Sequence, residues 1–201
     1  STPNNEISLM EKWDEKIEAI IKGTLQEDVR SLAGVPSWML TLMNKLLDTT
    51  GKKYIDEIWK NLEVYFHGGV SFKPYRTEFN NIISNKQFKY YEVYNASEGF
   101  FAIQDRNDCD ELLLMLDYGI FYEFIEINNS TKSEKIIDLS MVEVGKNYAL
   151  LITTNSGLWR YKIGDTIIFT NLRPFRIKIS GRTKHFINTF GEEVIIENVE
   201  K

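Results

Sequence analysis

The ten residues "GLWRYKIGDT" (157–166) lie between two apolar runs and decide how the second half of the chain folds. The runs on either side, 148–154 and 166–169, have the β-branched and aromatic composition of strands. Gly164 can adopt a backbone conformation that other residues avoid. We therefore predict a turn that joins two strands and brings Asp165 to the start of the second. An aspartate there either stabilises an ordinary turn or faces a ligand, and these ten residues leave both interpretations open.

The rest of the chain after Lys86 contains similar strand-like runs and predicts a mostly antiparallel sheet. The predicted strands are 88–93, 100–104, 111–116, 120–127, 146–154, 166–170 and 175–180. The polar segment 128–138 is expected to be a surface loop, and the run that starts at Glu192 has the pattern of a helix.

The residues before Lys86 predict an α/β layer. Apolar residues at three- and four-residue steps favour a helix between Leu9 and Val29. Ser37 is expected to cap a second helix, which ends near Gly51. Further helices are predicted at 54–60 and 74–83, with a strand at 62–66 that stops at the glycine pair 68–69.

Composition limits the class of protein. The chain has 201 residues, 43% of them hydrophobic and 26% charged, which is ordinary for a globular protein. This length is enough for one substantial core, or for one domain and part of another. A net charge of -5 disfavours nucleic acid as a partner, and no apolar run reaches the roughly 20 residues of a membrane helix. The single cysteine, Cys109, excludes an internal disulfide and favours a cytoplasmic location.

Four short stretches each lie where a strand meets a glycine-rich or polar loop. They are "FHGGVSF" (66–72), "YNASEG" (94–99), "YKIGD" (161–165) and "GRTKHFINTFGEE" (181–193). Their order and spacing resemble those of the adenylate-forming superfamily. The longer phrases "YNASEGFFAIQ", "LLLMLDYGIFYEFIE" and "FRIKISGRTKHFINTFGEE" are similar to the auxin-responsive amido synthetases (acyl-acid amido synthetases), with the chain as the central segment of a bacterial-type member.

The resemblance runs from about Trp13 to the last residue and implies a fold. That fold is a mixed α/β architecture, part of a large N-terminal adenylation domain with helices and a mixed and antiparallel sheet. On this basis residues 1–183 form part of the adenylation domain, and 184–201 form the hinge and the start of a C-terminal domain, with Lys184 at the hinge position.

The resemblance also assigns roles in "YNASEG". Tyr94 is expected to stack on adenine, Asn95 to hydrogen-bond its edge, and Ser97 to contact a phosphate oxygen. Glu98 is expected to be the catalytic carboxylate that holds Mg²⁺ against the phosphates. Without the resemblance, the same residues describe a strand-ending turn with a solvated glutamate.

Four further residues take nucleotide-binding roles by the resemblance. Asp165 is expected to accept hydrogen bonds from both ribose hydroxyls, and Arg182 to reach toward ribose and phosphate. Gly68 and Gly69 would allow close backbone approach beside adenine and the acyl group, although a simple turn explains them almost as well. His67, just before them, is more readily a structural hydrogen-bonding residue than a general base.

The resemblance implies an ATP- and Mg²⁺-dependent ligase. It would convert a small carboxylic acid to an acyl-adenylate and transfer the acyl group to an amine such as an amino acid. The superfamily's phosphate-binding loop and C-terminal lysine have no counterparts in these 201 residues, so the isolated chain is expected to be inactive.

Three alternatives stay open at this point. The acyl group could pass to a thiol such as coenzyme A, as in acyl-CoA ligases. A binding or scaffold domain could keep the fold without the chemistry. A cluster of basic residues could form a solvated hairpin or bind nucleic acid; its members are Arg173, Arg176, Lys178, Arg182 and Lys184.

Overall fold

The computed structural model describes residues 2–107, 109–127 and 135–183, and the backbone of 186–189 and 192–195. The chain divides into two compact units, Ser1–Glu92 and Val93–Lys201, and each has its own hydrophobic core. In the part of the chain that is described, no helix is long and apolar enough to cross a membrane. The predicted mixed α/β fold with a mixed and antiparallel sheet is confirmed.

Three of the four helices predicted in the first unit form with shifted ends, the helix predicted at 54–60 is a single 3₁₀ turn, and a short helix before Leu9 was not predicted. The helical elements of this unit are α1 (Asn5–Ser8), α2 (Trp13–Thr24), α3 (Pro36–Thr50), α4 (Arg76–Ile82) and a single 3₁₀ turn at Ile55–Glu57. The predicted cap at Ser37 is wrong. The helix already begins at Pro36, because proline presets the first helical angle and lacks an N–H that would go unpaired. It ends, as predicted, at Gly51, whose φ of 65° is left-handed.

Three parallel strands complete the first unit: β1 (Ser31–Gly34), β2 (Val64–His67) and the first half of β3 (Lys89–Ala96). The register pairs Gly34 with His67, so both lie where these strands end. Strand β1 escapes sequence-based prediction because only Leu32 of its four residues is buried, and the segment is extended chiefly through pairing with β2.

Two tryptophans meet on the helices of the first unit. The rings of Trp13 and Trp38 pack edge to face with centroids 4.4 Å apart, and each residue stays 39% exposed. Trp59 is buried, and its indole N–H donates to the Thr24 carbonyl at 3.3 Å. Trp159, in the second unit, is 83% exposed.

The second unit is an antiparallel sheet in the order β3-β4-β5-β10-β9-β8-β6-β7. After β3 its strands are β4 (Gly99–Ile103), β5 (Leu112–Leu114), β6 (Ile120–Glu126), β7 (Ile136–Asp138), β8 (Asn147–Thr154), β9 (Tyr161–Leu172) and β10 (Phe175–Arg182). All seven predicted strands are confirmed, while β7 occupies the end of the predicted loop. A short 3₁₀ turn, Leu139–Met141, follows β7.

Strand β9 begins earlier than predicted and includes both Gly164 and Asp165. The predicted turn at these residues is therefore wrong, because the reversal of the chain happens before Tyr161. Between the pairs Ala149–Thr166 and Leu151–Lys162, two steps along β8 face four steps along β9. The extra residues form a bulge, and Gly164 sits in it with φ 94°.

The last described backbone forms a hairpin of β11 (Phe186–Thr189) and β12 (Glu192–Ile195). The helix predicted from Glu192 is therefore wrong over these four residues. The β-branched pair Val194-Ile195 favours a strand once a partner is available at β11.

Candidate functional site

The centre of the candidate site is the carboxylate of Asp165, which is 7% exposed. The Tyr94 hydroxyl donates to its Oδ2 at 2.7 Å, and Arg182 Nε donates to its Oδ1 at 2.8 Å. Three strands, β3, β9 and β10, each supply one of these side chains. Two donors, one of them cationic, offset the cost of burying the carboxylate.

Backbone geometry explains how Asp165 reaches this position. The register of β9 and β10 pairs Asp165 directly with Arg182, which sets the two side chains opposite one another. The bulge at Gly164 re-aims the following residue, and the Gly164 carbonyl accepts a bond from the Thr183 N–H at 2.8 Å. The glycine thus serves a bulge within a strand, where the sequence had indicated a turn.

Tyr94 lies in the core of the second unit and is 5% exposed. Its ring packs on Phe101 with centroids 4.9 Å apart at an angle of 58°. Burial, and after it the charge of Asp165, raises the pKa of Tyr94, so the hydroxyl stays protonated and donates. The phenol therefore faces Asp165 rather than open space. Its expected stacking on adenine stays a prediction.

The turn between β3 and β4 carries the other residues of "YNASEG". Asn95 and Ser97 are exposed, and Glu98 is half-buried. A hydrogen bond with Glu98 raises the pKa of Tyr161, which places that hydroxyl against the carboxylate. A Cβ on Gly99 would lie 2.9 Å from Ile120 Cδ1, so a larger residue directly after Glu98 would require the end of the Ile120 side chain to move.

The glycine loop belongs to the first unit. Gly68 and Gly69 follow the last residue of β2, and Gly69 has φ 81°, which favours glycine. His67 is 2% exposed, and neither of its ring nitrogens has a hydrogen-bond partner among the described residues. The structural hydrogen bond expected of it is thus wrong for that part of the chain. Its ring stacks on Phe72 at 4.1 Å, and burial, then the charge of Arg76, lowers its pKa to about 4.

The predicted basic cluster is only partly solvated, because one of its members is buried. Arg176 is 2% exposed, and its two terminal nitrogens bind the Asp105 carboxylate at 2.6 and 2.8 Å. Arg182 is bound to Asp165. Asp105 and Asp165 both lie outside the basic stretch in the sequence. The stretch therefore showed no negative charge that would balance its cations. Two of its five cations are already paired, which weakens the nucleic-acid alternative; Lys184 lies outside the described residues.

Sequence reasoning missed one further ion pair near the site. Arg160 donates to both carboxylate oxygens of Glu123 at 2.9 and 2.8 Å, and Glu123 is 7% exposed. Arg160 has φ 45°, and its N–H donates to Thr153 Oγ at 3.0 Å. The signal available in the sequence was the single acid in the apolar run 120–125, which needs a partner when buried.

Comparison with known proteins supports the family resemblance that the sequence motifs indicated. The GH3 family N-terminal domain matches residues 1–88, and the GH3 family central domain matches residues 113–182. The chain belongs to the GH3 family. The resemblance to acyl-acid amido synthetases drawn from the motifs is thereby confirmed.

Named relatives of this GH3 chain are plant amido synthetases. It is 27% identical over 187 residues to indole-3-acetic acid-amido synthetase GH3.4 of Arabidopsis thaliana, which covers 81% of the chain and 30% of that protein. Among solved structures it is similar to the GH3.15 acyl acid amido synthetase, with a TM-score of 0.69 and 16% identity over 94% of the chain and 44% of that protein.

A second solved structure shares the fold. It is the Vibrio cholerae adenylation domain AlmE in complex with glycyl-adenosine-5'-phosphate, with a TM-score of 0.57 and 13% identity over 94% of this chain and 38% of that one. The chain spans less than a third of the length of the curated relatives it matches.

Proposed function

We propose that this GH3 chain forms the nucleotide-binding part of an ATP-dependent acyl-acid amido synthetase. The observation that carries the proposal is the buried Asp165 carboxylate, held by Tyr94 and Arg182, with each of the three residues in a different motif of the family resemblance. A carboxylate fixed in this way can accept hydrogen bonds from the two hydroxyls of a ribose. This supports AMP and ATP as the ligands of the site.

Glu98 has the second role in the proposal. It lies in the turn between β3 and β4, and a hydrogen bond with its carboxylate raises the pKa of Tyr161. No group of three or more metal-binding side chains occurs among the described residues. A Mg²⁺ held by Glu98 would therefore complete its oxygen shell with nucleotide phosphates and water, as this cation prefers.

The proposed reaction has two steps. A carboxylate of the acid attacks the α-phosphorus of ATP, so that a new oxygen–phosphorus bond forms while pyrophosphate leaves. An amine then attacks the acyl carbon and AMP departs. Asp165 and Arg182 would orient the nucleotide, and positioning of this kind supplies much of the rate in phosphoryl transfer.

An amine acceptor, such as an amino acid, is favoured over a thiol. Support comes from the relatives, whose names describe amido synthetases. The glycine loop keeps the role implied by the resemblance, close backbone approach to the ligand at Gly68 and Gly69. The other expected contacts are an adenine-edge bond from Asn95, a phosphate contact from Ser97 and a hinge at Lys184, all of which remain part of the proposal.

Calorimetric titration with AMP and with ATP·Mg tests this function. We expect Asp165→Ala to abolish binding of both nucleotides, because it removes the acceptor for the ribose. We expect Glu98→Ala to weaken ATP·Mg by about tenfold or more while AMP binding stays close to wild type. Asp138→Ala, which removes an exposed capping aspartate beside the edge strand β7, is the control and should leave both affinities unchanged.

Two results would count against the proposal. If the wild-type chain binds neither nucleotide at millimolar concentration, the nucleotide role fails for this chain. If Asp165→Ala binds AMP as well as wild type does, the site lies elsewhere. Metal dependence is read separately, by repeating the ATP titration with EDTA in place of Mg²⁺.

A further inference from the structure

The two protein donors at Asp165 bind different oxygens of the carboxylate. Tyr94 takes one position on Oδ2, and Arg182 takes one position on Oδ1. A carboxylate has about four acceptor positions, two on each oxygen. When only the bonds made by the described residues are counted, one acceptor position on each oxygen is left for a ligand.

The vicinal hydroxyls of a ribose supply one donor for each of these two positions. We propose that Tyr94 acts through its hydroxyl as a positioning residue, fixing Asp165 so that the remaining two acceptor positions select a ribose that carries both its 2'- and 3'-hydroxyls. This inference rests on the proposed nucleotide-binding function. It gives the Tyr94 hydroxyl, rather than the ring face, control of sugar specificity.

The surroundings of Tyr94 suit it to this task better than those of Arg182. Tyr94 is 5% exposed and its ring packs against Phe101, so its hydroxyl has little freedom to move. The Arg182 side chain, by contrast, is one-third exposed. Arg182 contributes a positive charge beside the carboxylate, and Tyr94 contributes a hydrogen bond whose direction is fixed.

The substitution Tyr94→Phe separates a hydroxyl role from a stacking role, because it keeps the ring and removes only the oxygen. Tyr122→Phe is a matched control. Tyr122 is 4% exposed in the same core, but its hydroxyl donates to the Met115 carbonyl at 3.0 Å. Both variants lose one buried tyrosine hydroxyl, and only Tyr94→Phe loses a contact with Asp165.

The experiment titrates AMP, 2'-deoxy-AMP and 3'-deoxy-AMP into the full chain and both variants. We expect wild type to prefer AMP over either deoxy form by about tenfold, the usual effect of a hydrogen bond to a charged group. In Tyr94→Phe, AMP affinity should fall by about tenfold, and the preference over the deoxy forms should shrink to about twofold or less. Tyr122→Phe should keep the wild-type preference.

A double-mutant cycle tests the contact without any nucleotide. Tyr94→Phe should lower the Tm of the wild-type chain by about 2–4 °C, and that of Asp165→Ala by close to nothing, because the partner is already gone. Equal shifts in the two backgrounds would show that the hydroxyl does not hold Asp165, and would overturn the inference.

The nucleotide titrations distinguish two kinds of failure. If wild type binds no AMP, the proposed function falls and the inference falls with it. If wild type binds AMP with the expected sugar preference and Tyr94→Phe keeps that preference, the proposed function stands and the inference alone is overturned. An unchanged preference combined with weaker binding of all three nucleotides would assign Tyr94 to base stacking instead.

Discussion

His67 in the first unit and Asp165 in the second are both titratable, and both are more than nine-tenths buried. Asp165 has a donor on each oxygen, while neither ring nitrogen of His67 has a partner among the described residues. One site therefore stabilises a buried charge, and the other stabilises only the neutral form of its residue.

The difference shows that burial alone does not tell what a polar group does. Around Asp165 three strands converge with complementary groups, so both carboxylate oxygens have hydrogen-bond donors despite their burial. Around His67 burial, and then the cation of Arg76, oppose a positive charge on the imidazole. The first arrangement satisfies a buried polar group, and we expect the second to make the fold sensitive to acid.

The largest effect in this comparison is expected from Asp165→Ala. The substitution leaves a buried phenol hydroxyl and a partly buried guanidinium without their acceptor. We expect a loss of about 2–3 kcal/mol in the free energy of unfolding, measured by urea denaturation without ligand.

Asp28→Ala is the control for that measurement, because Asp28 pairs with Arg30 on the surface. It should cost much less, since an exposed ion pair is screened by water. If the two substitutions were equally costly, the bonds at Asp165 would contribute no more than a surface contact.

An intermediate effect is expected from His67→Phe, and it depends on pH. The folded-state pKa of His67, about 4, lies below the unfolded value of about 6.5. Above pH 6.5 the imidazole is neutral in both the folded and the unfolded chain. Between pH 6.5 and 4 the imidazole of the unfolded chain binds a proton that the folded chain does not bind. The free energy of unfolding therefore falls as the pH falls through this range. Removing the imidazole should make the chain about 2 kcal/mol more resistant to unfolding at pH 4.5 than wild type.

The measurement is urea unfolding of wild type and His67→Phe at pH 7.5 and at pH 4.5. His185 is the only other histidine in the sequence, so His185→Gln serves as the control and should keep the wild-type dependence on pH. The idea fails if wild type and His67→Phe lose the same stability between the two pH values.

The smallest effect is expected from glycine substitutions. A Cβ on Gly164 would meet no atom within 4 Å, so Gly164→Ala tests the backbone conformation alone. With φ 94° we expect a cost of about 1 kcal/mol and weaker AMP binding, because the bulge aims Asp165. Gly23 in α2 also has open space around it, and Gly23→Ala should instead stabilise by about 0.5–1 kcal/mol. If both substitutions changed the free energy of unfolding in the same direction, the bulge would not require glycine at position 164.

Much of the fold was predictable because its signals are local. Runs rich in β-branched and aromatic residues identified β3 to β6 and β8 to β10, whereas β7, β11 and β12 were missed. Periodic apolar residues identified α2. Strand β1 was missed since its four residues are extended only because β2 pairs with them. Gly164 was placed in a turn because a glycine signals a left-handed angle in turns and bulges alike.

The site was predictable in its members but not in its contacts. The family resemblance singled out Tyr94, Asp165 and Arg182, yet gave Tyr94 a different partner. Tyr94 and Asp165 are 71 residues apart, and no local pattern shows that a hydroxyl on β3 meets a carboxylate on β9. His67 is the opposite case. Phe72 and Arg76 form the surroundings of its ring. No pattern in the sequence shows that the ring nitrogens of His67 lack hydrogen-bond partners among the described residues.

The distribution of tryptophans gives this chain a built-in optical label for each unit. Trp13, Trp38 and Trp59 all belong to the first unit, and the exposed Trp159 is the sole indole of the second. Iodide in solution would quench the long-wavelength fluorescence of Trp159 first and leave the blue-shifted fluorescence of Trp59. Coupling between the neighbouring Trp13 and Trp38 transitions adds a circular-dichroism band that vanishes when their helices separate. The two units can therefore be followed separately in one unlabelled sample.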